Sequence, residues 1–154
     1  MTEPTLLVRV YRGIADHFPI RWTEWAMLWP TFGLYIGLQF QPNMFSTSPS
    51  FADLASWGSE AWWSFAMGVA MILRFAALFV NGTFRNFEFS PHIRAGASLF
   101  GVLMWSQFSL GFLTAFVFSG GAFSGFVGWS TMVVLELMNT WRSWLDVGKQ
   151  FPKA

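Results

Sequence analysis

Four stretches of the chain are almost purely apolar, and more polar segments separate them. The apolar stretches cover residues 22–40, 61–80, 95–118 and 123–141. About twenty apolar residues in a helix are enough to cross the hydrocarbon core of a bilayer. The pattern therefore predicts an all-α integral membrane protein with four transmembrane helices, arranged as two consecutive hairpins.

A different pattern precedes the first apolar stretch, at residues 4–20. Here apolar and charged side chains fall on opposite sides of a helix. The apolar side is Leu7, Tyr11, Ile14 and Phe18, and the charged side is Arg9, Arg12 and Asp16. Such a helix is typical of a segment lying in the membrane interface, and a helix packed on a partner is the alternative. Pro19 is expected to end it.

Proline, glycine and asparagine mark the connections. Residues 41–59 contain two Pro, one Asn and several Ser and predict a loop with a short helix near residues 51–57. Asn81-Gly82 predicts a turn, and Ser90-Pro91 predicts the start of the next helix. Pro30 lies inside the first predicted crossing, where a kink is expected.

The positive charges indicate an orientation. Lys and Arg outside the apolar stretches occur only before the first crossing, between the second and third, and after the fourth. They are Arg9, Arg12, Arg21, Arg85, Arg94, Arg142, Lys149 and Lys153. In a four-crossing protein these segments lie on one side, and positively charged loops face the cytoplasm. Both termini are therefore expected to be cytoplasmic, with residues 41–59 on the outer side.

Composition narrows the classes of protein. Apolar residues make up 54% of the 154 residues and charged residues 11%, whereas about a quarter of a soluble domain is charged. The length suits a single domain. The net charge of +1 does not favour nucleic acid, and the absence of Cys excludes thiol chemistry. The residues that acid–base catalysis needs are sparse, so no catalytic residue, cofactor or metal ligand is assigned.

Two charges lie deep inside the apolar stretches. Arg74 precedes Asn81 by seven residues and Glu136 precedes Arg142 by six, so both lie roughly 10 Å below the cytoplasmic helix ends. Their equal depth and opposite charge predict an ion pair, with Asn139 and Gln107 as supporting polar groups. The pair is interpreted as a structural clamp or as part of an ion or proton path. Snorkelling of Arg74 to the headgroups is the alternative.

Small residues predict close helix packing. One set lies in the first crossing and another in the third. They are Gly33, Gly37, Ala97, Gly101, Gly111 and Ala115. Glu24 follows Arg21 by three residues, which predicts an ion pair at the edge of the membrane.

One set of residues carries a resemblance. The run from Arg74 to Gly82, followed by Pro91-His-Ile-Arg94 and Trp105, resembles small uncharacterised membrane proteins of tailed-phage and prophage genomes. The resemblance favours a holin or a host-envelope protein and implies no activity. In helix number and in a Glu near the first helix, the chain also resembles small four-helix multidrug exporters, although Glu24 lies at the edge of that helix.

Together these features predict a non-enzymatic protein of a bacterial inner membrane. Its expected partners are the lipid bilayer and either further copies of itself or a larger membrane complex. A holin-like pore and a subunit of a small-molecule or ion transporter are the alternatives.

Overall fold

The computed structural model describes residues 6–84 and 87–150, and within them the protein is all-α. Residues 4 and 5 of the predicted interfacial helix, Arg85 and Lys153 lie outside the described residues, as do the side chains of Arg9 and Lys149. The helices are α1 (Leu6–Ala26), α2 (Leu28–Phe40), α3 (Met44–Thr47), α4 (Ala52–Trp57), α5 (Glu60–Thr83), α6 (Ser90–Ser119) and α7 (Phe123–Gln150).

Two helices are long and apolar enough to cross a membrane. They are α5, with 24 residues, and α6, with 30 residues, and they contain the predicted crossings at 61–80 and 95–118. At 1.5 Å per residue their lengths are about 36 and 45 Å. Four crossings were predicted, and two helices, not four, meet this criterion among residues 6–84 and 87–150.

The first predicted crossing is divided between two helices. α1 ends at Ala26 and α2, with 13 residues, begins at Leu28. Pro30 has no N–H to donate to the carbonyl of Ala26, so the helix breaks one turn before the proline. At the break, the hydroxyl of Thr31 donates to the carbonyl of Met27 at 2.7 Å. Met27 keeps helical backbone angles, φ −67° and ψ −15°, so the interruption is a single missing hydrogen bond one turn before Pro30.

α1 is longer than predicted. The sequence indicated an end at Pro19, but the helix bends at Arg21, where φ is −119° and ψ is 21°, and then continues to Ala26. A proline removes one hydrogen bond, and here the chain bends instead of stopping. The extension carries Thr23 and Glu24 into the bundle, where both are buried.

α1 packs against the end of α5 through two glycines. A Cβ added at Gly13 would overlap the carbonyl oxygen of Gly82, and one added at Gly82 would lie 3.4 Å from the carbonyl carbon of Gly13. At Gly13 only glycine permits this contact, whereas a Cβ at Gly82 would make an ordinary van der Waals contact. The turn predicted at Asn81-Gly82 is wrong, since α5 continues to Thr83 and Gly82 is buried against α1.

The remaining long helices also exceed their predicted bounds. α6 begins at Ser90, with Pro91 in its first turn, so the helix start predicted at Ser90-Pro91 is confirmed. Arg94, which was counted with the polar connection before residue 95, lies in this helix. α7 continues beyond residue 141 to Gln150, so the predicted polar tail is helical where it is described. These extra turns place charged side chains at one end of the bundle.

The segment between α2 and α5 caps the opposite end. Its loop was predicted, but α3, a 3-10 turn at Pro49–Phe51 and α4 occupy most of it. Phe45, Phe51 and Leu54 are buried, and Nε1 of Trp63 donates to the carbonyl of Leu54 at 3.0 Å. The cap therefore belongs to the core.

Below the cap lies an aromatic layer, formed by Trp63, Trp105, Phe108 and Trp129. The rings of Trp105 and Trp129 stack with centroids 5.4 Å apart, and those of Trp63 and Phe108 meet edge to face at 5.2 Å. This layer separates the cap from the half of the bundle that contains the buried charges.

Candidate functional site

α5 and α7 bring Arg74 and Glu136 together inside the bundle. Nη2 of Arg74 donates to Oε2 of Glu136, and 3% and 1% of the two residues are exposed. The sequence led us to expect this contact from the equal depth of the two charges. Each charge alone would carry a large desolvation cost, which the other reduces. We call Arg74 and Glu136 the deep pair.

Gly101 of α6 makes room for the deep pair. A Cβ at this position would lie 2.5 Å from Oε1 of Glu136 and 3.2 Å from Nη2 of Arg74. The side chains of Asn139 and Trp105 also face the Glu136 carboxyl. The deep pair is therefore enclosed by α5, α6 and α7.

A second group of charges lies toward the end of the bundle opposite the cap. Nε and Nη2 of Arg94 donate to the two carboxylate oxygens of Glu24 at 2.9 and 2.5 Å. Nη1 of Arg94 donates to Asp146 at 3.2 Å, and Arg21 donates to the same Asp146 oxygen at 3.1 Å. A two-pronged arginine–carboxylate contact is both strong and directional. These four residues, which we call the end cluster, join α1, α6 and α7.

Arg21 also contacts Glu24, at 3.5 Å. The ion pair that the sequence led us to expect at the membrane edge is thus present as the longest contact of a larger cluster. The main partner of Glu24 is Arg94, which is 1% exposed.

Smaller polar side chains lie between the end cluster and the deep pair. On α7 the residues Asn139 and Ser143 follow Glu136 at helical spacing and precede Asp146, and on α6 Ser98 lies between Arg94 and Gly101. Since Gly101 touches Glu136 and Arg94 touches Asp146, the antiparallel register places Ser98 opposite the two α7 residues. All three are buried.

α1 completes this middle layer. The hydroxyl of Thr23 donates to Oδ1 of Asn139 at 2.7 Å and accepts a hydrogen bond from Nη1 of Arg142 at 3.4 Å. We call the deep pair, the end cluster and the four small residues between them the polar column. Its small residues are Thr23, Ser98, Asn139 and Ser143. Three arginines and three carboxylates make its formal charge 3 − 3 = 0.

The polar column ends at a pocket of about 480 Å³. Arg21 and Asp146 of the end cluster line this pocket, together with Asp16 and His17 of α1. The side chains of Arg21 and Asp146 are 15% and 27% exposed, whereas that of Arg94 is 0% exposed. The exposed fraction therefore falls from the residues that line the pocket to Arg94.

The two residues predicted to support the deep pair, Asn139 and Gln107, have different outcomes. Asn139 is in the polar column, but the side chain of Gln107 is exposed, so its predicted contribution is wrong. Gln107 follows Gly101 by six residues, and this turns it by roughly 240° away from the face that touches Glu136.

The residues predicted to allow close helix packing also differ in outcome between α6 and α2. Ala97, Gly101, Gly111 and Ala115 are buried on α6, and a Cβ at Gly111 would lie 3.1 Å from Cγ of Leu54. Gly33 is exposed, Gly37 is half-buried, and a Cβ at either would meet no atom within 4 Å among the described residues. The close approach expected at these two glycines is thus not made among the described residues.

The sequence did not identify Arg94 and Asp146 as site residues. Both were assigned to polar connections, because the third apolar stretch begins at residue 95 and the fourth ends at residue 141. Their spacing carries a signal: Arg94 precedes Gly101 by seven residues and Asp146 follows Glu136 by ten, so each continues a helical face.

The polar column can stabilise helix register and can bind polar molecules small enough to enter it. Among residues 6–84 and 87–150, no three His, Asp or Glu side chains come together to hold a metal ion. No protein-family model, curated protein or solved structure matches the chain. The proposals below therefore rest on the geometry of the molecule itself.

Proposed function

We propose that this protein is an integral protein of a bacterial inner membrane that acts by assembling with further copies of itself or with a larger membrane complex. In this proposal it is not an enzyme, its four crossings form two hairpins, and its termini are cytoplasmic. The observation that carries the proposal is an apolar groove containing exposed glycines on the outside of the bundle.

The outer surface supports membrane insertion. Large apolar side chains are more than a third exposed along every long helix, and soluble monomers rarely expose continuous apolar patches of this kind. Examples are Leu7, Trp29, Phe32, Phe65, Ile72, Phe75, Leu99, Leu103, Leu110, Val127, Val134 and Leu137. A lipid environment removes the cost of this exposure.

The fourth crossing has support from α7. Phe123 is 49% exposed at its start and Trp141 is 66% exposed eighteen residues later, a rise of about 27 Å. Aromatic side chains favour the two membrane interfaces, and the hydrocarbon core is about 30 Å thick. The segment between these two aromatics thus fits the bilayer, and the remainder of α7 extends into the aqueous phase.

The first crossing is a kinked one. The end of α1 and all of α2 together cover residues 22–40, and Trp22, Trp29 and Phe40 are exposed along them. Kinked helices are tolerated in membranes when neighbours satisfy the freed backbone groups. In this proposal the exposed stripe of α1 near Leu7 and Tyr11 lies in the interface next to that crossing.

Charge distribution supports the orientation. The end cluster and Arg142, which reaches Thr23, lie at one end of the bundle, while Asp53 and Glu60 belong to the capped end. Arg21, Arg94 and Arg142 then gather at a single leaflet, in agreement with the positive-inside rule.

The groove supports assembly. It lies between α2 and α7, has a volume of about 460 Å³, and is lined by Trp29, Pro30, Gly33, Gly128 and Trp129 among others. A Cβ at Gly33 or Gly128 would meet no atom within 4 Å among the described residues. Small residues on a membrane-facing surface allow a helix of another chain to approach closely.

Native mass measurement in lipid nanodiscs tests the assembly proposal. We expect wild type to form oligomers, or to be recovered with a larger membrane complex, and G33L and G128L to lower that fraction by filling the groove. G96L is the matched control, because Gly96 on α6 also has nothing within 4 Å of a Cβ. A monomeric wild type recovered without a partner, or equal effects of all three variants, would contradict the proposal.

A second candidate function has support from the polar column. A buried row of ionisable groups inside a membrane protein is typical of ion or proton paths. A subunit of a transporter, or a holin-like pore, would use such a path. Expression with time-resolved measurement of membrane potential separates these functions, since a pore depolarises the host abruptly and an assembly subunit accumulates without depolarisation.

A further inference from the structure

The middle of the polar column contains buried polar atoms that the described residues do not satisfy. Oγ of Ser98 and Oγ of Ser143 make no hydrogen bond with any described residue, and Oε1 of Glu136 makes none of normal geometry, although Asn139 and Trp105 face its carboxyl. The residues are 1%, 0% and 1% exposed. A buried polar group without a partner costs about 1–3 kcal/mol, so three in one interface would be costly if the interface were dry.

These atoms lie along one line. Ser143 is near the end cluster, Ser98 faces it from α6, and Glu136 lies two turns deeper on α7. Nδ2 of Asn139, between Ser143 and Glu136, also makes no hydrogen bond of normal geometry with the described residues. Buried water in proteins makes two to four hydrogen bonds to atoms of this kind.

The two ends of the line differ. Toward the end cluster, the polar side chains continue to Arg21 and Asp146, which line the pocket of about 480 Å³. Toward the cap, the aromatic layer closes the bundle, with Trp105 stacked on Trp129 and Phe108 against Trp63. Polar side chains therefore lead from the pocket toward Glu136, and aromatic rings lie beyond it.

We propose that the polar column is a binding site for a file of water molecules, through which water and hydrated protons reach Glu136 from the end-cluster side of the membrane only. This inference deepens the transport candidate and rests on the proposed membrane insertion. In the reversible step that the file allows, hydronium gives its proton to the Glu136 carboxylate and leaves water. Among the described residues, the charged groups facing this route are Arg74, Arg94, Arg21, Glu24 and Asp146, with Arg142 on Thr23. Asp16 and the titratable His17 line the pocket at its mouth.

Single cysteines test the route, because the native chain has no Cys. S98C and S143C replace the two unsatisfied hydroxyls, and S109C is the control, since Ser109 is buried three turns further along α6. Reconstituted protein is exposed to Ag⁺ from one side, then denatured, and the thiols that remain free are counted with a maleimide.

We expect S98C and S143C to react from the end-cluster side about ten-fold faster than S109C, which must wait for local opening of the helices. Equal rates from both sides, or equal rates for all three variants, would overturn the route. N43C and E88C report sidedness, because both positions are exposed in the connections. If these two react from the same side, the membrane proposal fails; if they react from opposite sides and the column cysteines stay unreactive, the water file alone fails.

S98A and S143A give a second measurement. In a dry interface, removal of an unsatisfied hydroxyl should leave the melting temperature unchanged or raise it, because a desolvation cost disappears. With bound water, each change removes a hydrogen bond and should lower it. An unchanged or raised melting temperature in both variants would contradict the proposal.

Discussion

Arg94 of α6 binds Glu24 of α1 through hydrogen bonds of 2.9 and 2.5 Å, across 70 positions of sequence. The same guanidinium reaches Asp146 of α7. One buried side chain therefore fixes the relative positions of three helices at the end of the bundle. The planar guanidinium suits this task, because its donors point in several fixed directions.

Replacement of Arg94 should destabilise the bundle strongly. R94Q leaves Glu24 buried without its main partner, and loss of one member of a buried ion pair costs about 3–5 kcal/mol. R94K keeps the charge but not the two-pronged contact, so its effect should be smaller. Thermal unfolding in lipid nanodiscs measures both, with R12Q as control because Arg12 is exposed on α1. Equal melting temperatures for R94Q and R12Q would contradict the structural role of Arg94.

The deep pair should respond to loss and exchange of charge. E136Q removes the negative charge that faces Arg74, so we expect a lower yield and a fall in stability of about 2–4 kcal/mol. Exchange of the two charges, in the double variant R74E/E136R, should recover part of the loss. If E136Q leaves stability unchanged and the double variant is no more stable than E136Q, Arg74 does not depend on Glu136.

Gly101 should tolerate no side chain. G101A places a methyl group 2.5 Å from Oε1 of Glu136, and overpacking of this kind costs about 1–3 kcal/mol. G96A on the same helix is the control, because its Cβ has open space and alanine raises helix propensity by about 0.8–1 kcal/mol. Chemical or thermal unfolding should therefore shift in opposite directions for the two variants, and a shift in the same direction would contradict the close contact.

The contact between Gly13 and Gly82 should hold α1 on α5. G13A forces the two backbones apart, because the new Cβ overlaps the carbonyl oxygen of Gly82. We expect faster tryptic cleavage after Arg12 in G13A, since a detached helix opens more often. G148A serves as the control, as a Cβ at Gly148 meets no described atom within 4 Å. Unchanged cleavage in G13A would show that α1 is held by other contacts.

Periodicity and hydropathy predicted the all-α class and the regions that form α5 and α6. These properties are local: a long apolar stretch specifies its own helix wherever it lies. The common depth of Arg74 and Glu136 could also be read from the sequence, since depth needs only the distance from a helix end.

The features that depend on tertiary contacts could not be predicted in this way. Asn81-Gly82 has the composition of a turn, but α5 continues to Thr83 and Gly82 is buried against α1. Pro19 was expected to end α1, but the helix bends at Arg21 and continues to Ala26. Arg94 was assigned to a loop for the same reason: local signals do not reveal that Glu24, far away in sequence, will bind it.

Labelling of connections from each side of the membrane tests the central claim most directly. Single cysteines at Asn43, Glu88 and Gly120 lie in the connections between the proposed crossings, and all three positions are exposed. In spheroplasts, a membrane-impermeant maleimide should label N43C and G120C but not E88C; in inverted vesicles it should label E88C alone. Labelling of N43C and E88C from the same side, or recovery of the protein in the aqueous fraction after alkaline extraction, would contradict the four-crossing membrane protein.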